Sequence, residues 1–162
     1  MTDAGVLYHF NTKQELLLAV LEHFDLEVER TVAQAEVHGI EVLWATREWG
    51  AGMERIPEIQ SLLIVLSAEH LHEPGPAREY VQQRYERVLA RYVTAFREAA
   101  EAGDLRADLD PEFEASALIA HLDGIRMQWF LLDKKISIAD SVRTYIDITL
   151  ERLAPRTKRS WR

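Results

Sequence analysis

Residues 2–21 read TDAGVLYHFNTKQELLLAVL, a compact apolar turn through Gly5, Leu7, Tyr8 and Phe10 that runs into a new helix. Thr12 and Glu15 have the S/T-x-x-E spacing of a capping box, in which each side chain satisfies an orphan backbone donor at a helix start. This spacing predicts a helix from Lys13. Leu16, Leu17, Val20, Leu21 and Phe24 then recur at helical intervals and mark one buried face.

The rest of the chain repeats this grammar. A second helix is predicted from Ile40 to about Met53, and Pro57 opens a third. The run Ile59, Leu62, Leu63, Ile64, Val65 and Leu66 is apolar nearly all round, which predicts a central helix covered on every side. Pro74-Gly75-Pro76 breaks the chain. A long helix should follow to Ala102, with Val81, Tyr85, Val88, Tyr92 and Phe96 as its apolar stripe. Its outer face carries Arg78, Glu79, Gln82, Gln83, Glu86, Arg87, Arg91, Arg97 and Glu98, which read as solvated. Asp110-Pro111 caps a helix over 112–133, and Ser137 caps a last one ending before Pro155. No strand-like alternation occurs, so the fold class is all-α, a helical bundle.

A chain of 162 residues can bury a substantial core, and its lack of Cys excludes disulfides and thiolate chemistry. The net charge of −8 argues against the body of the chain lying on nucleic acid, because neutralising phosphates needs clustered cations. The basic tail over 156–162 is read as a solvated terminus, with a weak phosphate contact as the alternative. No apolar run reaches the ~20 residues that span a bilayer, and no signal-peptide layout is present. No membrane partner is expected, and the cytoplasm is the expected compartment.

The segment AGVLYHFNTKQELLLAVL (residues 4–21) resembles the end of the DNA-binding domain of the TetR family of bacterial transcriptional regulators. PEIQSLLIVLSAEHLHEPGPAREYVQQRYERV (57–88) and AGDLRADLDPEFEASALIAHLDGIRMQWFL (102–131) are similar to effector domains of its BetI-like branch. The resemblance implies a ligand-responsive DNA-binding regulator, expected to be a repressor released by a small apolar effector. It divides the chain into a remnant of the helix-turn-helix over 1–12, an effector-binding and dimerisation domain over 13–155, and the tail. Thr2, Asp3, Gly5, Tyr8, His9 and Lys13 are its implied DNA-binding residues, with Tyr8 and Lys13 on phosphates and Thr2 and Asp3 nearest the bases. The family's two preceding helices and turn are missing before Met1. A recognition helix is held in the major groove by packing on those helices, so operator DNA is an expected partner only when they are present. The alternative reading is a sensor and dimerisation module that does not itself bind DNA.

Two further expectations concern the body of the chain. The helices around 118–129 and 138–150 carry more apolar surface than one partner can cover, and in the family such helices pair with their copies. A homodimer is therefore expected through Ala117, Leu118, His121, Gly124, Ile125, Trp129, Val142, Tyr145, Ile146 and Leu150, with Leu118→Arg splitting it. An effector cavity is expected around Trp44, Leu63, Ser67, His70, Tyr92, Phe96 and His121, where an apolar helix ends in polar residues. Glu69, His70 and His72, with His121 and Asp123, are the only cluster with metal-ligand chemistry. A His-x-His pair on a helix points its rings about 200° apart, so no metal or other cofactor is expected. No nucleophile elbow, phosphate loop or HExxH occurs, and the chain is not expected to be an enzyme.

Overall fold

The computed structural model describes residue 10, residues 12–72 and residues 74–155. Among these the chain forms six helices and no strand: α1 (Lys13–Ala35), α2 (Ile40–Glu54), α3 (Pro57–Glu69), α4 (Pro76–Glu101), α5 (Pro111–Leu131) and α6 (Ile138–Leu153). The all-α expectation is met, and each helix lies within two residues of its predicted bounds where the sequence set them. Thr2, Asp3, Gly5, Tyr8, His9 and the tail over 156–162 lie outside the described residues.

Local chemistry accounts for the ends. The Thr12 hydroxyl accepts from the Glu15 N–H at 3.1 Å, Asp110 accepts from the Phe113 N–H at 3.1 Å, and Ser137 accepts from the Asp140 N–H at 3.1 Å. Pro57, Pro76 and Pro111 each open a helix where the missing N–H is no loss. Gly103 ends α4 at a φ of 76°, a left-handed conformation that a side chain resists.

Two hydrophobic clusters organise the packing. The larger joins Leu43 and Met53 of α2, Tyr92, Phe96 and Ala99 of α4, Leu118, Leu122, Ile125 and Trp129 of α5, and Ile138, Val142, Ile146 and Leu153 of α6. The smaller joins Leu18 and Leu21 of α1, Leu63 and Leu66 of α3, and Ala77 and Tyr80 of α4. Helices α2 and α6 touch at their backbones: a Cβ built on Gly50 would sit 2.8 Å from the Ala139 Cα and 3.2 Å from the Ile138 carbonyl oxygen. Beside them the Glu54 carboxylate accepts from the Ser137 hydroxyl and the Ala139 N–H, both at 3.1 Å.

Helix α3 corrects one expectation. It is not covered on every side, because it packs through Gln60, Leu63 and Leu66 while Val65 on the opposite side is 45% exposed. A run that is apolar all round tells that a helix can be buried from any direction, not that it is.

Candidate functional site

Beside the larger cluster lies a cavity of about 170 Å³. Four helices wall it. α1 contributes Phe24, Val28 and Val32, α2 contributes Thr46, Trp49 and Met53, α4 contributes Val88 and Tyr92, and α5 contributes Ile119 and Leu122. The wall made by α1 is the least anchored. Up to Leu21 the helix is fixed in the smaller cluster, but beyond it only Asp25 is buried.

Asp25 is held by a network rather than by packing. Its carboxylate accepts from the Tyr80 hydroxyl at 2.7 Å and from Arg84 Nε at 3.1 Å, with Arg87 3.7 Å away. A second network closes the cavity on the α5 side. Tyr85 donates to Asp123 at 2.7 Å, Arg126 pairs with Asp123, and Arg126 Nη1 donates to buried Gln60 at 3.3 Å. Buried ions persist only when partnered in this way. Burial first, and then the hydrogen bond to Asp123, pushes the Tyr85 phenol up to about 12. Burial, then the bond to Asp25, pushes Tyr80 up as well, and burial raises Tyr92. All three therefore stay neutral at physiological pH, able to donate. Tyr85 and Asp123 also face two outer hollows, one of about 680 Å³ lined by Ser67, His70 and Leu71, and one of about 210 Å³ lined by Leu63 and Ser67.

The expected effector residues thus separate. Tyr92 is on the cavity wall, while Leu63, Ser67 and His70 belong to the outer hollows. Trp44 is corrected: it stands 46% exposed on the outer side of α2 with the Arg47 guanidinium 6.0 Å from its ring. Trp49, about 140° further round the helix, takes the place expected of it. Phe96 is corrected too, being wholly enclosed in the larger core. His121 turns away from the cavity to the α5–α6 surface, where it stacks on Tyr145 with centroids 4.1 Å apart and lies 3.3 Å from the Ser141 hydroxyl. Burial lowers its pKa, with a hydrogen bond to the Ser141 backbone opposing. Arg87 and Arg91, read as solvated, line the cavity, and Glu98 accepts the Gly39 N–H at 2.9 Å. Sequence reasoning missed Asp25, Gln60, Arg84 and Arg126. The available signal was a polar residue set inside an apolar run, as in Phe24-Asp25-Leu26 and Ile125-Arg126-Met127.

The expected dimer residues also divide. Leu118, Ile125, Trp129, Val142 and Ile146 are buried inside the subunit, so they are corrected from interface to core, and Leu150 packs at the core's edge. Ala117, His121, Gly124 and Tyr145 remain partly open. The first three lie along an α5 stripe that is exposed at Phe113 (63%), Met127 and Leu131 (75%), with Tyr145 and Ile148 beside it on α6. A Cβ on Gly124 would meet nothing within 4 Å. Among the described residues no three His, Cys, Asp or Glu side chains gather to hold a metal ion. Lys13 is exposed in the first turn of α1.

Residues 57–155 of this bundle match the family described as BetI-type transcriptional repressor, C-terminal. The chain belongs to the TetR family of transcriptional regulators. It is similar to the HTH-type transcriptional regulator TtgR of Pseudomonas putida, 27% identical over 173 residues that cover 98% of this chain and 80% of that protein. It is also similar to the probable HTH-type transcriptional regulator ArpR of Pseudomonas putida, 26% identical over 173 residues with the same coverage. No solved structure matches it significantly. No helix among the described residues is long and apolar enough to cross a membrane.

Proposed function

We propose that this regulator is a homodimeric repressor that leaves its operator when a small, mostly apolar molecule occupies the chamber between α1, α2, α4 and α5. It works where the DNA is, in the cytoplasm. The observation that carries the reading is the cavity itself, because one of its walls is the upper half of α1. Lys13, at the N-terminus of that helix, is the phosphate contact that the helix dipole assists. The lower half of α1 is clamped by Leu18, Leu21 and the Asp25 network. A molecule wedged against Phe24, Val28 and Val32 therefore tilts the helix about Asp25. Such an effector acts only through a difference in its affinity for the two tilts.

The test is a panel of hydrophobic metabolites, followed by thermal melting and by the emission of Trp49, which touches the cavity. At a hundredfold excess over Kd a ligand stabilises by about 2.7 kcal/mol, or roughly 5–10 °C for a chain of this size. Quenching should vanish in Trp49→Phe and persist in Trp44→Phe, and the same compounds should release operator DNA in fluorescence anisotropy. If none of them moves the melting temperature or the emission, the chamber is packing space and the sensor reading is wrong.

The dimer is proposed through the stripe Phe113, Ala117, Ala120, Gly124, Met127 and Leu131 of α5, extended by Tyr145 and Ile148 of α6. In a two-fold interface the same patch serves both subunits, and a stable one removes more than about 1,200 Å² from water. So large an apolar stripe left in water is otherwise unexplained.

A further inference from the structure

The polar side of the cavity is not balanced. Four arginines line it, Arg84, Arg87, Arg91 and Arg126, against three carboxylates, Asp25, Glu29 and Asp123. The pairing follows a ladder between α1 and α4. Arg84 donates to Asp25 at 3.1 Å, and one turn on, Arg87 meets Glu29 at 3.0 Å. One turn further still, α4 presents Arg91, but α1 presents Val32 in place of a third acid, and both side chains are on the cavity wall. Across the chamber Arg126 has Asp123. Arg91, half-buried, has no hydrogen bond or ion pair among the described residues. A guanidinium withdrawn from bulk water beside apolar walls stabilises an anion that completes its fork of donors.

We infer that the effector is an amphipathic monoanion, an apolar body of one or two rings bearing a single carboxylate, and that Arg91 takes the carboxylate. This rests on the chamber being the effector site and adds the charge of what fills it. The body lies against Trp49, Met53 and Val88, and the carboxylate reaches Arg91 at the end where Val32 leaves the ladder open. A dianion is disfavoured, since the other three arginines already have carboxylate partners. A cation would face an excess positive charge.

The probes are 2-naphthoate and its neutral isostere 2-naphthamide, titrated into the whole protein by calorimetry. Naphthoate should bind at least about tenfold more tightly, the scale of one charge-assisted contact. Arg91→Gln should remove that advantage, so that the two probes bind alike. Val32→Glu, which supplies the missing acid from the other helix, should also remove the advantage of naphthoate over naphthamide without touching Arg91. Both positions are only partly buried, and melting curves verify that each variant folds. Equal affinity for the two probes, or an advantage for naphthoate that survives both substitutions, overturns the inference while the chamber remains an effector site. Binding by members of the hydrophobic panel but by neither naphthalene probe also overturns it alone. If the panel fails as well, both readings fall together.

Discussion

Replacing Gly50 with Val should lower the melting temperature by about 6–12 °C. The cause is a backbone contact rather than a side-chain one. A Cβ at position 50 meets the Ala139 Cα at 2.8 Å and the Ile138 carbonyl at 3.2 Å, and neither can rotate aside. Helices α2 and α6 must separate, which loosens Leu43 and Met53 against Ile138, Val142 and Ile146 and stretches the bonds from Ser137 and Ala139 to Glu54. Overpacking of this kind costs about 3 kcal/mol and occasionally more, and at roughly 2–4 °C per kcal/mol for this length the shift follows. Gly52 is the internal control. A Cβ there meets only the Trp49 ring carbon Cδ1 at 3.7 Å, an ordinary contact. Gly52→Ala should therefore stabilise by about 0.5–1 kcal/mol through helix propensity. Circular dichroism melts of the two variants decide the matter, and a Gly50→Val protein melting within about 2–3 °C of the parent, the equivalent of 1 kcal/mol or less, would refute the claimed contact.

How much of this was legible beforehand depends on what each signal encodes. Helix starts were readable because a cap is a local event: Thr12, Asp110 and Ser137 each satisfy a donor three residues away. The direction in which a helix faces was not readable where apolar residues surround it. In α5 the run Ala117-Leu118-Ile119-Ala120 offers every side to a partner, and only the positions of α2 and α6 decide that Leu118 points inward and Ala120 outward. Charged residues on α4 failed for a related reason. Glu86, Arg87 and Arg91 look alike along the chain, yet α1 crosses over the last two and turns them into cavity wall. Pairing between Arg84 and Asp25 spans 59 positions, and no local pattern announces it. The aromatic residues were a partial guide: Trp49 and Tyr92 reach the cavity, while Trp44 shares their chemistry and misses it by its place on the helix.

The distinction between the two faces of α5 yields the second large effect. Leu118 is fully enclosed between α2, α4 and α6, so Leu118→Arg should not give a folded monomer. It places a guanidinium in the core, where the buried carboxylate one turn back, Glu114, is already paired with Arg152, at a cost of about 3–5 kcal/mol for an uncompensated buried charge. That consumes a large part of the roughly 5–15 kcal/mol typical of a domain. The expected product melts far below the parent or aggregates. Gly124→Arg, less than two turns away on the stripe proposed to pair the subunits, should behave in the opposite way. A side chain there enters open space in the isolated subunit, and replacing a mid-helix glycine favours the helix by up to about 1 kcal/mol. The subunit should keep its helicity, while two copies of the cation confronting each other across the two-fold axis separate the dimer. Light scattering at micromolar concentration beside circular dichroism separates the cases: a helical monomer for Gly124→Arg, lost structure for Leu118→Arg. A Gly124→Arg protein that remains a dimer would move the interface off this face, and a folded monomer from Leu118→Arg would mean that Leu118 is not in the core.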